Sequence, residues 1–263
     1  MPAKNSSSKK LLKEYQRKRN FATTPEPSGA KSPPKKAKKQ RELFFCVQKH
    51  LASHLHYDFR LEHHGVLLSW AVPKGPSLNP KDKRLAMKVE DHPFDYGEFE
   101  GVIPEGYGAG IVMLWDRGTW QPENGDVDGS LARGELKFSL QGVKLKGSWV
   151  LVRTGGGGGG GGESRTWLLI KHRDQWAGNV DVTRFDKSVK GFGDFAEILA
   201  EEKPHLWESH RPAKGGAAGE MLQEIIEQAA ALKAKRESGA MKKRSVKKPK
   251  PAKRVRQARA TAK

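Results

Sequence analysis

Short apolar or alternating segments recur between residues 42 and 176, and this pattern restricts the fold more than any other feature. The segments have the length of strands and are separated by Gly, Pro, Asn and Asp. They cover 43–49, 56–62, 65–72, 84–90, 110–115, 134–140, 147–153 and 166–171. Closely spaced short strands with turn residues between them are typical of antiparallel barrels and sandwiches. We therefore predict a mainly β domain of one of these two kinds.

Outside this region the sequence predicts helices and tails. A short basic helix is expected over 9–19, and further helices over 193–203 and 219–236, where apolar residues recur at helical spacing. The last helix either docks on the β domain or binds a partner. The chain is thus divided into four parts: a basic N-terminal arm (1–41), a β domain (42–176), a C-terminal helical extension (177–237) and a disordered basic tail (238–263).

Eight consecutive glycines, 155–162, interrupt the pattern of strands. Such a run cannot hold a strand, because glycine has too much backbone freedom. It predicts a flexible hairpin loop between the segments 147–153 and 166–171. It is not a phosphate-binding loop, since no Gly-Lys-Ser/Thr follows it.

The formal net charge of +19 lies in the two ends of the chain. Residues 1–41 hold 13 Lys and Arg against 2 Asp and Glu, residues 42–202 hold 19 against 23, and residues 203–263 hold 17 against 5. Basic arms around a nearly neutral body suit a polyanion such as nucleic acid, because each contact with a phosphate releases a counterion. The alternative is that the tails only increase solubility or act as targeting signals.

The sequence also favours an intracellular protein that is not bound to a membrane: cytoplasmic or associated with the nucleoid, or nuclear if the source is eukaryotic. Its single cysteine, Cys46, excludes an internal disulfide and lies in an apolar run, so it is expected to be a buried hydrophobe. No apolar stretch reaches the roughly 18 residues that span a bilayer. The polar, basic N-terminus has no secretory signal.

The segment from residue 48 to residue 62 holds the most informative polar residues. Side chains alternate between the two faces of a strand, so one face carries His56, Asp58, Arg60 and Glu62 while aromatic and aliphatic side chains lie on the other. Upstream, Gln48 and His50 share a face. Alternation alone is also typical of a solvent-exposed polar strand, which is the simpler interpretation.

His50, His56 and Asp58 together form a candidate metal site. Two imidazoles and one carboxylate suit Mn, Fe or Zn better than Ca or Mg, and three protein ligands leave positions open for water and substrate. Six of the nine histidines fall between residues 50 and 92, which favours a real site over chance. His54, His63 and His64 are interpreted as surface histidines near it.

Two further patches are weaker. Glu90 and His92 share a face at the end of a strand, where His92 could protonate a leaving oxygen or hold a phosphate. Taken alone, this patch is better explained as the cap of a turn. The glycine-rich patch 100–110 predicts tight turns before a strand and is interpreted as structural, because no helix follows as a dinucleotide fingerprint requires.

Several motifs, in order, resemble the 3′-phosphoesterase domain of bacterial DNA ligase D. They lie at 48–62, 65–76, 90–93, 99–104, 115–118 and 167–171, and the resemblance covers roughly residues 15–176. It implies a small antiparallel β-barrel with short flanking helices and a dependence on manganese (Mn²⁺). It also implies removal of a 3′-terminal ribonucleotide, and then of a 3′-phosphate, from DNA or DNA–RNA 3′ ends during nonhomologous end joining, where end-joining repair proteins would be partners.

The resemblance also implies roles for individual residues. His50, His56 and Asp58 match the metal ligands. Residues that match contacts to phosphate or support catalysis are Arg60, His92, Gln48, Glu90 and Tyr96, joined from the N-terminal arm by Arg19 and Glu26.

The chain departs from the family pattern at two places. Asn20 stands where the family usually has Asp, so an uncharged amide replaces a carboxylate in the region to which the ribonucleotide-removing step is sensitive. The Gly106–Tyr107 junction is one residue shorter. The residues beyond this domain are too few for a ligase or polymerase module, so a stand-alone form is expected.

Two other functions remain open from the sequence. A non-haem iron oxygenase also uses two His and one carboxylate, although its third ligand normally lies far downstream of the His-x-Asp pair rather than upstream. The second alternative is a non-catalytic DNA-binding protein whose body only supports the basic tails.

Overall fold

The computed structural model describes residues 10–29, 42–155, 164–191, 193–201 and 217–237. Its strands are β1 (Leu43–Leu51), β2 (Leu55–His63), β3 (Val66–Val72), β4 (Arg84–Lys88), β5 (His92–Pro93), β6 (Gly101–Ile103), β7 (Gly110–Pro122), β8 (Glu135–Gly142), β9 (Lys146–Arg153) and β10 (Thr166–Lys171). The α-helices are α1 (Lys13–Arg17), α2 (Val127–Arg133), α3 (Phe195–Glu201) and α4 (Ala217–Glu237), and short 3₁₀ helices cover Phe94–Glu98 and Val182–Arg184.

Eight of these strands close into an antiparallel barrel. Neighbouring strands follow the order β1-β2-β3-β4-β10-β9-β8-β7, and β7 pairs again with β1 to complete the circle. The two short strands lie outside it, β5 on β3 and β6 on β7. The predicted mainly β fold is confirmed, and of the two alternatives the barrel is correct.

A bulge lies where β1 and β7 close the barrel. Val47 pairs with Asp116 but Gln48 pairs with Leu114, so Trp115 of β7 has no partner in β1. The extra residue increases the local twist and changes the direction in which the following side chains of the ladder point. β7 extends to Pro122, well beyond the predicted end at residue 115, because its second half pairs with β8.

Aromatic side chains fill the barrel. Trp70, Trp115, Trp149, Phe45 and Phe59 are all fully buried in one cluster. Cys46 is also fully buried, as expected, and burial raises the pKa of its thiol to about 12. Such a thiol stays protonated near neutral pH and is unsuited to act as a nucleophile.

The C-terminal helices dock on the β domain, with α3 against β7 and β6 and α4 packed on α3. Ile198 and Leu199 of α3 and Ile225 and Ala229 of α4 belong to the same buried cluster as the barrel core. Of the two alternatives for the helix over 219–236, the structure shows docking. None of the described helices is long and apolar enough to cross a bilayer.

The N-terminal arm packs against the start of β3 and the 3₁₀ helix that follows β5. Leu12 and Tyr15 of the arm form a second buried cluster with Val66, Leu67 and Tyr96. α1 is shorter than the helix predicted over 9–19, because the chain turns after Lys18 and hydrogen bonds from Thr23 and Thr24 to the Asn20 carbonyl hold the following turn.

Several predicted features lie outside the described residues: the tail 238–263, the linker after Gly29 up to residue 41, and most of the glycine run. β5, β6 and α2 were not predicted. α2 begins with a side-chain cap, in which Asp126 accepts a hydrogen bond from the backbone N–H of Gly129, and ends at Gly134 in the left-handed conformation.

Candidate metal centre

The β1–β2 hairpin brings the three candidate metal ligands together. His50 of β1 pairs directly with His56 of β2, and Gln48 pairs with Asp58. Opposed side chains of an antiparallel ladder lie on the same face of the sheet, so His50, His56 and Asp58 project to one side. His50 and Asp58 are buried, and His56 is partly exposed.

The distances fit one shared ion. His50 Nδ1 lies 3.7 Å from Asp58 Oδ2, and His56 Nε2 lies 3.7 Å from Asp58 Oδ1. The two imidazole centroids are 4.8 Å apart. One donor atom from each of the three residues lies within 4.8 Å of the others, which makes the trio a possible metal-binding group.

Backbone carbonyls hold the two imidazoles in the tautomers that metal binding requires. The carbonyl oxygen of Gly108 lies 3.0 Å from His50 Nε2, and that of His54 lies 3.0 Å from His56 Nδ1. A carbonyl only accepts, so each of these nitrogens carries the proton and donates. The other nitrogen of each ring, Nδ1 of His50 and Nε2 of His56, is left with a lone pair facing Asp58. Metal-bound histidines show the same outer hydrogen bond, so this donor set fits a divalent transition ion.

The electrostatics of the trio also favour a cation. Burial lowers the pKa of His56, so its ring is neutral and able to coordinate near neutral pH. Burial of Asp58 opposes its ionisation, but the Arg60 guanidinium and the two histidines outweigh it and hold the pKa of this carboxyl below its ordinary value. The carboxylate is therefore charged over the whole working range of pH.

Arg60 lies next to the trio and is held by three side chains. Its Nε donates to Gln48 Oε1 (2.8 Å), its Nη1 to Ser69 Oγ (2.8 Å) and its Nη2 to Asp58 Oδ2 (3.1 Å). The guanidinium also lies over the ring of Tyr96, 5.0 Å from the centroid. These contacts fix the plane of a buried, permanently charged fork.

Gln48 supports Arg60 from the barrel wall. Its amide nitrogen donates to the carbonyls of Tyr96 (3.0 Å) and Phe99 (2.8 Å), which leaves its oxygen pointing at Arg60. Gln48 thus links the guanidinium to the segment that follows β5, and its role is to position Arg60.

His92 is engaged at both ring nitrogens. Its Nδ1 lies 2.8 Å from the carbonyl oxygen of Glu90 and its Nε2 lies 3.3 Å from Arg19 Nη2. The carbonyl can only accept and the guanidinium can only donate, so Nδ1 carries the proton and Nε2 accepts. Burial and the nearby Arg60 and Arg19 hold the pKa of His92 well below its ordinary value, so the ring is neutral.

The arm reaches the site through Arg19 and Lys18. Arg19 donates to Glu26 Oε1 (2.9 Å) and Glu90 Oε1 (3.3 Å), and Lys18 lies 3.0 Å from Glu90 Oε2. The Arg19 side chain is only 4% exposed. Although burial opposes ionisation of Glu90, Lys18 and Arg19 hold its pKa below the ordinary value.

Glu26 and Tyr96 complete the hydrogen-bond network around Arg19. The Tyr96 hydroxyl donates to Glu26 Oε1 (3.0 Å), which also accepts from Arg19. Burial and the neighbouring Glu26 carboxylate raise the pKa of Tyr96 well above its ordinary value, so it stays protonated and donates. Arg19, Glu26, Glu90, His92 and Tyr96 therefore form one continuous network beside Arg60.

The structure adds residues that the sequence did not assign to the site. Ser69 lies opposite Arg60 in the β2–β3 ladder, a register that only the structure supplies. The carbonyl of Gly108 comes from the patch 100–110, which was interpreted as purely structural. Asn20 is exposed, and its side-chain oxygen accepts from the backbone N–H of Ala22 rather than from the network.

Comparison with known proteins agrees with this geometry. Residues 48–153 match the family described as the DNA ligase D 3′-phosphoesterase domain. The resemblance to that domain is thereby confirmed. The match contains β2 to β9 entirely, and it also includes His50, His56, Asp58, Arg60 and His92.

Three full-length proteins show the same similarity. The multifunctional non-homologous end joining protein LigD of Pseudomonas aeruginosa is 54% identical over 180 residues, 68% of this chain and 20% of that protein. The LigD DNA repair protein of Mycobacterium tuberculosis H37Rv is 38% identical over 190 residues, 72% of this chain and 22% of the relative. LigD of Mycolicibacterium smegmatis is 38% identical over 197 residues, which are 73% of this chain and 23% of that protein. The chain thus spans about a fifth of the length of these relatives.

Proposed function

We propose that this chain is a metal-dependent phosphoesterase that removes 3′-phosphates from DNA or DNA–RNA ends and serves nonhomologous end joining. The proposal rests mainly on one observation. Two imidazole nitrogens with free lone pairs, from His50 and His56, converge with the Asp58 carboxylate beside the buried guanidinium of Arg60. Similarity to the DNA ligase D 3′-phosphoesterase domain supports the same reaction class.

His50, His56 and Asp58 would hold the ion, which we propose to be Mn²⁺, in keeping with a mixed nitrogen and oxygen donor set. When bound, such an ion supplies Lewis-acid polarisation of a phosphoryl oxygen. Because both imidazoles are already oriented by backbone carbonyls, little rearrangement is needed for them to coordinate.

Arg60 is proposed to bind the phosphoryl group. Three of its five N–H groups hold Gln48, Ser69 and Asp58, so the remaining two are presented in a fixed direction. A donor that does not reorganise during the reaction stabilises charge as it develops on the phosphoryl oxygens. This accounts for a guanidinium that is only 2% exposed at the edge of a metal site.

His92 is proposed to position Arg19 while no phosphate is bound, because both of its ring nitrogens are engaged. A role as proton donor to the leaving 3′ oxygen requires Arg19 to leave Nε2. It also requires a phosphate dianion to raise the pKa of the imidazole. The network of Glu26, Glu90 and Tyr96 holds Arg19 at this point.

We propose 3′-phosphate removal as the main activity and 3′-ribonucleotide removal as the weaker one. Asn20 carries no charge and its side chain is bound locally at the surface. The basic ends of the chain would hold the nucleic-acid backbone without reading its sequence. End-joining repair proteins are the proposed partners, in keeping with the names of the relatives.

The proposal is tested by release of inorganic phosphate from a 3′-phosphorylated duplex in the presence of Mn²⁺. The wild type should release phosphate, and His56→Ala should lose the activity because one metal ligand is gone. His54→Ala is the matched control: it removes an exposed neighbouring imidazole but keeps the carbonyl that orients His56.

Each outcome has a definite meaning. Equal release by His56→Ala and the wild type would overturn the metal assignment. No release by the wild type, together with retained duplex binding, would favour the non-catalytic DNA-binding alternative. Consumption of O₂ with 2-oxoglutarate in place of phosphate release would favour the oxygenase.

A further inference from the structure

A second group of potential metal ligands lies at the other end of β2. It consists of His63, the last residue of β2, His64 in the following turn, and Asp128 in the first turn of α2, with one donor atom from each within 4.8 Å of the others. His56 and His63 are seven residues apart in one strand, which corresponds to about 23 Å. The two groups therefore cannot share an ion.

The turn between β2 and β3 explains how two consecutive histidines meet. Successive side chains of an extended strand point to opposite faces, so a regular strand would separate these two rings. His64, however, has a φ of 49°, the left-handed conformation, and it is the only non-glycine residue with positive φ among the residues the structure describes. As a result the His63 and His64 ring centroids are 3.9 Å apart.

Asp128 faces both rings at once. Its Oδ1 lies 2.9 Å from His63 Nε2 and its Oδ2 lies 2.9 Å from His64 Nε2. An ion bonded at about 2.0–2.2 Å to a nitrogen and to an oxygen separates those two atoms by roughly 3.0–3.4 Å. A movement of a few tenths of an ångström would therefore admit an ion between the carboxylate and the imidazoles, provided that each ring takes the tautomer with its proton on Nδ1 and frees the Nε2 lone pair.

The position of Asp128 is fixed independently of the histidines. Asp126 caps the start of α2 by accepting from the backbone N–H of Gly129, 2.9 Å away. Side-chain exposures of 15% for His63, 54% for His64 and 67% for Asp128 leave the group open to water on one side. Water can thus complete the coordination that three protein ligands begin.

We propose that His63, His64 and Asp128 form a second, structural site for a borderline divalent ion of the Zn²⁺ class. Two imidazoles and one carboxylate match the ligand preferences of this class. The bound ion would fasten the β2–β3 turn to α2, two elements that are 64 residues apart in sequence. The inference is independent of the phosphoesterase activity and goes beyond it.

The test counts Zn²⁺ ions bound per chain by titration calorimetry, using untagged full-length protein. The wild type should bind two ions. His56→Ala should bind one ion, because it removes a ligand from the first site. His64→Ala and Asp128→Asn should each also bind one ion, because each removes a ligand from the second site. The double variant His56→Ala/Asp128→Asn should lose both ions, and His54→Ala should keep both.

Thermal unfolding supplies a second readout. Micromolar Zn²⁺ should raise the melting temperature of His56→Ala, which keeps only the second site, but not that of His56→Ala/Asp128→Asn. Release of 3′-phosphate by His64→Ala and by Asp128→Asn should equal that of the wild type.

The second site is refuted if His64→Ala and Asp128→Asn bind as many ions as the wild type, or if the second ion binds only at millimolar Zn²⁺. In either case His63, His64 and Asp128 form only hydrogen-bonded pairs. Failure of the phosphate-release assay would leave the ion count unaffected, so the two proposals fail separately.

Discussion

At the scale of the residue, Arg60 joins the parts of the proposed active site. It contacts the proposed metal ligand Asp58, as well as Gln48 and the strand neighbour Ser69, and it packs over Tyr96. A buried charge of this kind is tolerated because the Asp58 carboxylate pairs with it and three of its five N–H groups have acceptors. The guanidinium is therefore the side chain whose exact shape should matter most to the chemistry.

Arg60→Lys should lower kcat for 3′-phosphate release by about 100-fold or more, because an ammonium keeps the charge but cannot make the fork of bonds to Gln48 and Ser69. Steady-state kinetics with a 3′-phosphorylated duplex measures the change. Arg117→Lys, a partly exposed arginine paired with Glu98, serves as the control and should keep the wild-type rate. A rate for Arg60→Lys equal to that of the wild type would contradict the role assigned to the fork.

Asp91 gives a pH-dependent prediction. Burial raises the pKa of its carboxyl from 3.8 to about 6. Between these two values the folded protein binds a proton that the unfolded chain does not, so the free energy of unfolding falls as the pH rises from about 4 to about 6. Above pH 6 the charged form costs the fold about 3 kcal/mol.

Asp91→Asn should therefore be more stable than the wild type by about 3 kcal/mol at pH 7.5, and the difference should vanish near pH 4. Urea unfolding at the two pH values measures it. A gain of the same size at both pH values, or none at pH 7.5, would show that desolvation of this carboxylate is not the cause.

At the scale of the element, β7 closes the barrel by pairing with β1, and it contains one buried acid that binds the β8–β9 turn. The fully buried Asp116 accepts backbone N–H groups from Val143 (2.9 Å), Lys144 (3.0 Å) and Leu145 (2.8 Å) of the β8–β9 turn. Its pKa is nevertheless raised by burial. The turn is thus held by one side chain from a neighbouring strand in addition to its own backbone hydrogen bond, in which Gly142 N–H donates to the carbonyl of Leu145 (2.8 Å).

Asp116→Ala should destabilise the protein by roughly 2–4 kcal/mol, because several buried N–H groups lose their acceptor together. Chemical unfolding of the full chain measures this change. Glu135→Ala removes an exposed acid from the adjacent β8 and should leave the unfolding midpoint unchanged. Equal midpoints for the two variants would refute the role of Asp116 in holding the turn.

The elements also show which parts of the fold the sequence could predict. Strands bounded by Gly, Pro, Asn or Asp were predicted, because turn residues and alternation are local signals. The full length of β7 was missed, because Asp116 and Gly118 are residue types typical of turns. In the structure Asp116 instead accepts hydrogen bonds from the β8–β9 turn, and Gly118 pairs with both β1 and β8. α2 was missed because its seven residues are too few for a periodic pattern.

Some residues of the candidate site could likewise be predicted from local sequence signals, whereas others could not. The faces shared by Gln48 and His50, and by His56, Asp58 and Arg60, follow from strand alternation alone. Arg19 and Glu26 entered only through the family resemblance, because the docking of the arm on β5 and Tyr96 is a long-range contact. The carbonyl of Gly108 could not be predicted at all, since any residue supplies such a group.

At the scale of the whole molecule, charge is divided between a nearly neutral barrel and basic ends. Residues 238–263, which lie outside the described structure, hold 11 Lys and Arg and no acidic residue. Contacts between such a segment and phosphates make binding steeply dependent on salt. The ends and the barrel are thus expected to contribute affinity and chemistry separately.

Deletion of residues 238–263 should weaken binding to long duplex DNA and flatten the dependence of log Kd on log salt concentration, because fewer counterions are released. Phosphate release from a short duplex should persist, since every proposed site residue lies between Arg19 and Gly108. Fluorescence anisotropy at several salt concentrations, with the phosphate assay on the same preparation, tests both statements. An unchanged salt dependence would refute the role of the tail in binding.

The central claim is that His50, His56 and Asp58 hold one divalent ion. The most direct measurement is anomalous diffraction at the manganese absorption edge from crystals soaked in Mn²⁺. The account predicts a peak about 2.0–2.3 Å from His50 Nδ1, His56 Nε2 and an Asp58 oxygen. Mn²⁺-dependent phosphate release by protein whose crystals show no peak between these three atoms would contradict it.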